Sequence, residues 1–195
     1  MPRDTPEPDD VHLLLAVARR DEAAFEEFYN RFSRPLFSLV VRILRSEAEA
    51  EEILQDSFWQ IWEHAPSYRE ALGSPFCWII TIARRKAIDR LRANSRHLQR
   101  IADVQAAEET PSHAVPAVFA HLAAAEQAAS VQAALAEISD AERRAIELAF
   151  FDGLTHPEIA EALKEPVGTV KARIRRGLLK LEAALTRRSK KGGCV

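Results

Sequence analysis

Thr169, Lys171, Arg173, Arg175 and Arg176 put one hydroxyl and four cations within eight positions, with Ala172 among them. The chemistry open to such a set is recognition rather than bond-making. Ammonium and guanidinium groups neutralise phosphate, and an Arg fork pairs with the edge of guanine. A second basic stretch runs from Arg84 to Arg100, where seven Lys or Arg accompany one acid, Asp89. Trp78 lies just ahead of it. Rings on which bases stack, interleaved with Arg for the phosphates, are what a single strand of nucleic acid requires; a place in the core is equally open to Trp78. The third concentration has the opposite sign, since Glu47 to Glu63 holds six acids and no Lys or Arg. On a helical wheel Trp59 falls with Glu49, Glu52, Asp56, Gln60 and Glu63. That ring either anchors a partner or folds over a neighbouring helix. Blocks of opposite charge predict separate partners, although the net formal charge is only −2.

Catalysis is not indicated. There is no Gly-rich phosphate loop and no Cys/His cluster at metal-ligand spacing. The six His (12, 64, 97, 113, 121 and 156) are scattered. Asp89 beside Arg85 and Arg92 reads as an ion pair that orients the guanidiniums, not as an acid–base pair. No catalytic residue, metal or cofactor is expected. Two cysteines, Cys77 and Cys194, make no disulfide framework, so reduced thiols are expected. No apolar run approaches the roughly 20 residues needed to span a bilayer. The acidic opening "MPRDTPEPDD" lacks the apolar core of a secretory signal, and the ending "GGCV" lacks prenylation spacing. A cytoplasmic location without membrane insertion follows by elimination.

The elements that must position these groups are helices. Glycine is scarce, and apolar residues recur at helical spacing with no strand-like alternation. The pattern predicts an all-α chain: a disordered N-terminus at 1–9, a helical domain at 10–95, a linker at 96–126, a second helical domain at 127–186 and a tail at 187–195. Helices are predicted at 10–19, 21–33, 35–45, 47–64 and 75–94, with the Pro-bounded segment Ala65 to Pro75 as a loop. In the linker, Asp103 to Glu126 holds four acids and no Lys or Arg. Thr155 and Glu158 form a T-x-x-E capping box, and Lys164-Glu165-Pro166 ends that helix and suits the first turn of the next. In that next helix Val167, Val170, Ile174, Leu178, Leu181 and Leu185 form one apolar stripe. Thr169, Ala172, Arg173, Arg176 and Lys180 then lie opposite, flanked by Lys171 and Arg175. Two short helices joined by a tight turn, the second basic on its free face, predict a helix-turn-helix that reads a major groove; an amphipathic hairpin with a solvated basic face is the plainer alternative.

With these motifs in view, "SEAEAEEILQDSFWQIW" (46–62), "FCWIITIARRKAIDRLR" (76–92) and "LTHPEIAEALKEPVGTVKARI" (154–174) resemble the extracytoplasmic-function sigma factors of bacterial RNA polymerase. The resemblance implies a sigma-2 domain followed by a sigma-4 domain. Glu52, Gln55, Asp56 and Trp59 would dock on the clamp helices of the largest catalytic subunit. Ser67, Tyr68 and Arg69 of the loop, with Trp78, Arg84, Arg85, Asp89 and Arg92, would hold the opened −10 element. Thr169, Lys171, Ala172, Arg173, Arg175 and Arg176 would read the −35 element, with the domain seated on the flap of the second-largest subunit. The linker would thread polymerase channels, and an anti-sigma protein would hold the factor inactive until a stress signal. Two positions depart from the family pattern. Arg85 stands where Asn is frequent and Ala172 where Ser is frequent, so no promoter sequence carries over. The competing reading is a helix-turn-helix regulator that binds duplex DNA without joining polymerase; it has no need of the acidic Trp59 face.

Overall fold

The computed structural model describes residues 9–102 and 135–191, with side chains for 9–96, 135–184 and 187. The chain divides into two compact units, Met1–Pro111 and Ser112–Val195, and every described element is helical. The predicted disorder at 1–8, the linker from 103 onward with its Glu108 and Glu109, the start of the second domain at 127–134, and Cys194 lie outside the described residues.

In the first unit each of three helices opens on a side-chain acceptor. Asp9 accepts from the Val11 and His12 amides at the start of α1 (Asp10–Ala18). Asp21 accepts from Ala24 at the start of α2 (Glu22–Leu44), and Ser46 from Glu49 at the start of α3 (Glu47–His64). Each such cap satisfies an amide that the first turn orphans, for about 1 kcal/mol. Two single 3-10 turns, Ala65–Ser67 and Glu70–Leu72, lead to α4 (Pro75–Ala102). Leu14, Val17, Phe28, Leu36, Val40, Ala50, Ile61, Ile79, Ala83 and Ala87, drawn from all four helices, are fully buried. Each large side chain among them contributes about 1.5–3 kcal/mol by leaving water. Arg20 ties the α1–α2 turn to the end of α3: its guanidinium donates to the Trp62 carbonyl at 2.7 Å and lies 5.2 Å from that ring's centroid.

Two predicted boundaries are corrected. The helices expected at 21–33 and 35–45 are one helix with Pro35 inside it. A proline there removes one backbone bond and costs about 3 kcal/mol. Phe28 and Phe32 before it, and Leu36, Leu39, Val40 and Ile43 after it, are all buried on one face, and their packing outweighs that cost. The helix expected to end at Asn94 continues to Ala102, into the stretch assigned to the linker.

The second unit contains α5 (Asp140–Phe150), α6 (His156–Leu163) and α7 (Val167–Lys191), the last reaching into the predicted tail. Ser139 and Glu142 close a capping box at the start of α5. At α6 the predicted box is present, with Glu158 accepting from the Thr155 amide at 2.6 Å and from its hydroxyl at 2.7 Å. Gly153, at φ 65°, makes the left-handed turn between α5 and α6. Lys164 ends α6 at φ 53°, and the Pro166 carbonyl, one position ahead of α7, accepts from Val170 at 3.2 Å. Leu148, Ile159, Ala160 and Val170 form the small core, backed by Leu154, Leu163 and Ile174.

Candidate nucleic-acid and polymerase interfaces

Helix α3 buries Ala50, Ile53, Leu54, Ser57, Phe58 and Ile61 and leaves Glu52, Gln55, Asp56 and Trp59 exposed. Phe58 takes the aromatic place in the core, packed edge-on against Phe25 and Phe28 and tilted on Tyr29. Trp59 is 64% exposed, so it does not fold over a neighbouring helix. The acids around it are less isolated than their charge block predicts. Arg90 of α4 reaches Glu49 at 3.4 Å and Glu52 at 3.1 Å, Asn94 donates to Glu49 at 2.9 Å, and Lys86 lies 4.0 Å from Asp56. The Glu52 bond, with Glu49 beside it, raises the Arg90 guanidinium above its ordinary pKa. Part of the negative block and part of the positive block therefore serve each other, which corrects the expectation of wholly separate partners. The physical reason is antiparallel packing of α3 and α4 across a shared core, which the charge pattern alone does not reveal.

Between these helices the loop braces itself. The Tyr68 hydroxyl donates to the Gly73 carbonyl at 2.9 Å, and its ring meets Trp78 edge-on at 5.7 Å. Burial, then the charges of Glu70 and Cys77, push that hydroxyl above its ordinary pKa. The Ser67 hydroxyl donates to the His64 carbonyl at 2.7 Å. Two residues predicted to meet DNA thus use their hydroxyls on nearby backbone, while Arg69 is exposed and Leu72, at 84%, is the most exposed of the large apolar side chains described. Trp78 is half-buried, between its two predicted fates. Arg85, Asp89 and Arg92 are exposed on α4. Arg84 is half-buried, and desolvation, with Arg92 nearby, lowers its pKa. Among the described residues Asp89 forms no ion pair, so the predicted pairing with Arg85 and Arg92 is not made; exposed pairs of this kind contribute little.

Helix α7 is rotated from its predicted setting. Its inner residues are Val170, Ile174, Gly177, Leu181 and Ala184, spaced 4, 3, 4 and 3. Leu178, placed on the apolar stripe by the sequence, is 51% exposed, and Val167 is exposed as well. The reason is Gly177: an added Cβ there would stand 2.7 Å from Ile146 Cδ1 and 3.2 Å from Glu142 Cβ, so α5 approaches at this position. Gly168, Ala172, Arg175 and Leu179 then face outward. Arg173, predicted opposite the stripe, is turned to the α6–α7 turn and donates to Glu165 at 2.7 Å. Arg176 stays exposed but lies 3.8 Å from Glu142, to which Lys180 donates at 2.8 Å. The Lys180 ammonium and the Ser139 amide hold the Glu142 carboxyl well below the usual range, at about 2. Lys171 and Arg175 are exposed and, among the described residues, have no ion-pair partner. Thr169 is half-buried. Glu142 and Gly177 went unnoticed in the sequence, although S-x-x-E at 139–142 is a capping signature and a lone Gly inside a helical pattern marks close approach.

Comparison with known proteins bears on what these surfaces meet. The family model "Sigma-70 region 2" matches residues 28–97, and "Sigma-70, region 4" matches residues 128–181. The "ECF RNA polymerase sigma factor SigK" of Mycobacterium sp. (strain KMS) is 35% identical over 173 residues, which is 89% of each chain. This chain belongs to the extracytoplasmic-function sigma factors. The SigK of Mycobacterium tuberculosis (strain H37Rv) is also 35% identical, across 89% of this chain and 91% of its own. The crystal structure of Rhodobacter sphaeroides SigE in complex with the anti-sigma ChrR is 31% identical, covers 92% of this chain and 99% of its own, and superposes with a TM-score of 0.49. As a sigma factor of this type the chain joins RNA polymerase core and directs promoter-specific initiation. Among the described residues no three His, Cys, Asp or Glu are grouped to hold a metal ion, and no helix is long and apolar enough to cross a membrane.

Proposed function

We propose that this sigma factor divides promoter recognition between its two units, with residues 10–95 acting as the sigma-2 domain, 127–186 as the sigma-4 domain and 96–126 as the segment threaded through polymerase. Gln55, Asp56 and Trp59, with the outer edge of Glu52, dock on the clamp helices. Arg69 and the loop braced by Tyr68 and Ser67 receive a base of the opened −10 element. Trp78, Arg84, Arg85, Asp89 and Arg92 line the path of that strand. Lys171, Ala172, Arg175 and Arg176 face the −35 duplex, with Thr169 at the rim and Arg173 bracing the turn. The sigma-4 domain sits on the flap, and an anti-sigma protein, by covering these surfaces, holds the factor inactive in the cytoplasm.

The observation that carries the reading is Trp59, an aromatic side chain 64% exposed on a charged helix face. A large ring left in water at that place is explained by a partner that buries it, and such rings dominate binding energy. Asp56→Arg and Trp59→Ala are each expected to weaken co-elution with core polymerase tenfold or more, on the order of a 2 kcal/mol anchor, while leaving the melting temperature unchanged. Co-elution of both variants at the wild-type level would remove α3 from the polymerase interface.

A further inference from the structure

Helix α7 meets α5 through an arrangement that reading DNA does not by itself require. Glu142 is only 4% exposed, yet it carries a charge. Its carboxylate accepts from the Ser139 amide at 3.0 Å and from Lys180 at 2.9 and 2.8 Å, and the Arg176 guanidinium lies 3.8 Å away. Gly177 stands on α7 between those two cations and brings the helix backbone against Ile146 and Glu142. A glycine contact sets how near two helices come. It turns the Gly177 face of α7 toward α5, but with no side chain to interlock it leaves the finer rotation unpinned. Lys180 and Arg176 add a second constraint, because both converge on one buried carboxylate. A helix advances about 100° per residue, so a turn of α7 by one position carries both cations away from Glu142. A buried carboxylate stripped of its partner is strongly unfavourable.

We infer that Glu142 is the positioning residue that fixes the rotational setting of α7, and so determines that Lys171, Ala172 and Arg175 are the side chains presented to the duplex. This rests on the reading that α7 recognises the upstream promoter element. It assigns specificity in part to a side chain on another helix, which touches no base.

The proposal separates from a purely structural role because Glu142→Gln keeps a capping-box acceptor for Ser139 and loses only the charge. Holoenzyme assembled from the full chain and core polymerase is offered a duplex library randomised over the upstream element. Enrichment of the best sequence over the pool and the salt dependence of binding are measured. Glu142→Gln and Lys180→Gln are expected to lower enrichment about tenfold, the order of one lost base contact. Lys180→Arg, which keeps a cation within reach of the carboxylate, is expected to enrich as wild type does. If Glu142→Gln does not fold, Lys180→Gln decides. Wild-type enrichment by Lys180→Gln overturns the proposal. So does a uniform weakening across sequences with the salt slope lower by about one, which would make Lys180 a phosphate contact. A wild-type holoenzyme that enriches no sequence removes the reading of α7 itself, and the proposal with it.

Discussion

Arg173 and Arg175 lie two positions apart on one helix and do different work. Arg173 is bonded to Glu165 in the turn, with both side chains largely covered. Arg175 is exposed. Removing Arg173 leaves a half-covered carboxylate without its partner, a loss of about 1–3 kcal/mol, so Arg173→Ala is expected to lower the melting temperature of the second unit. Arg175→Ala is expected to leave melting unchanged and to weaken binding to a −35 duplex. Thermal melting and duplex titration of both variants check this, and the reversed pattern would put Arg173 back in the groove. Glu142 supplies a pH signature at the same scale. Its folded-state pKa, about 2, lies below the ordinary 4.5. The stability it contributes is therefore fully present above pH 4.5 and is lost as pH falls from 4.5 toward 2. Denaturation midpoints of wild type and Glu142→Gln are expected to differ by a constant amount above that window and to converge within it. A difference that stays constant down to pH 2 would show that the carboxylate is not held by Lys180 and Ser139.

At the scale of elements, Gly177 sets the α5–α7 approach through a conflict of two effects. Alanine favours a helix interior over glycine by about 1 kcal/mol, but its Cβ would stand 2.7 Å from Ile146 Cδ1. Overpacking typically costs about 1–3 kcal/mol. Gly177→Ala is expected to be destabilising alone and less so in an Ile146→Val background, where Cδ1 is gone and the 3.2 Å approach to Glu142 Cβ remains. A stabilising effect in both backgrounds, read by thermal melting, would mean that α5 stands further off. The same contact explains how far the sequence was legible. The start of α6 at Thr155 could be read because a cap is a local event within four residues; the starts near Asp9, Asp21 and Ser46 were read from apolar spacing, without their caps. The exposed face of α3 could be read because Ala50, Leu54, Phe58 and Ile61 repeat at helical spacing. Pro35 misled because a local rule met a core that overrode it. The setting of α7 misled because Leu178 extends the stripe on paper, while the described seam runs through Gly177 and Ala184, which carry little hydropathic signal. The bonds from Arg90 to Glu49 and Glu52 were hidden for a related reason: they join residues some forty positions apart.

For the whole molecule, a net charge of −2 conceals a division of labour. One unit presents an aromatic anchor on an acidic helix and a braced loop beside a basic one. The other presents a helix whose free cations, among the described residues, are Lys171 and Arg175. Neither unit alone accounts for initiation at a chosen start site. Joining polymerase selects no promoter, and gripping a duplex opens no strand. In the proposed division, one chain confers both the selection and the opening on core polymerase. The most direct measurement is transcription by core polymerase from a supercoiled library randomised over the upstream and −10 regions, with and without the full chain, followed by sequencing of transcripts and permanganate mapping of unpaired bases. The expected result is transcripts that depend on the chain, templates enriched for two separated elements, and permanganate reactivity at the downstream one, with Arg175→Ala eroding the upstream element and leaving the downstream one intact. Enrichment of a duplex element by the chain without core, and no chain-dependent transcripts or strand opening with it, would contradict the claim.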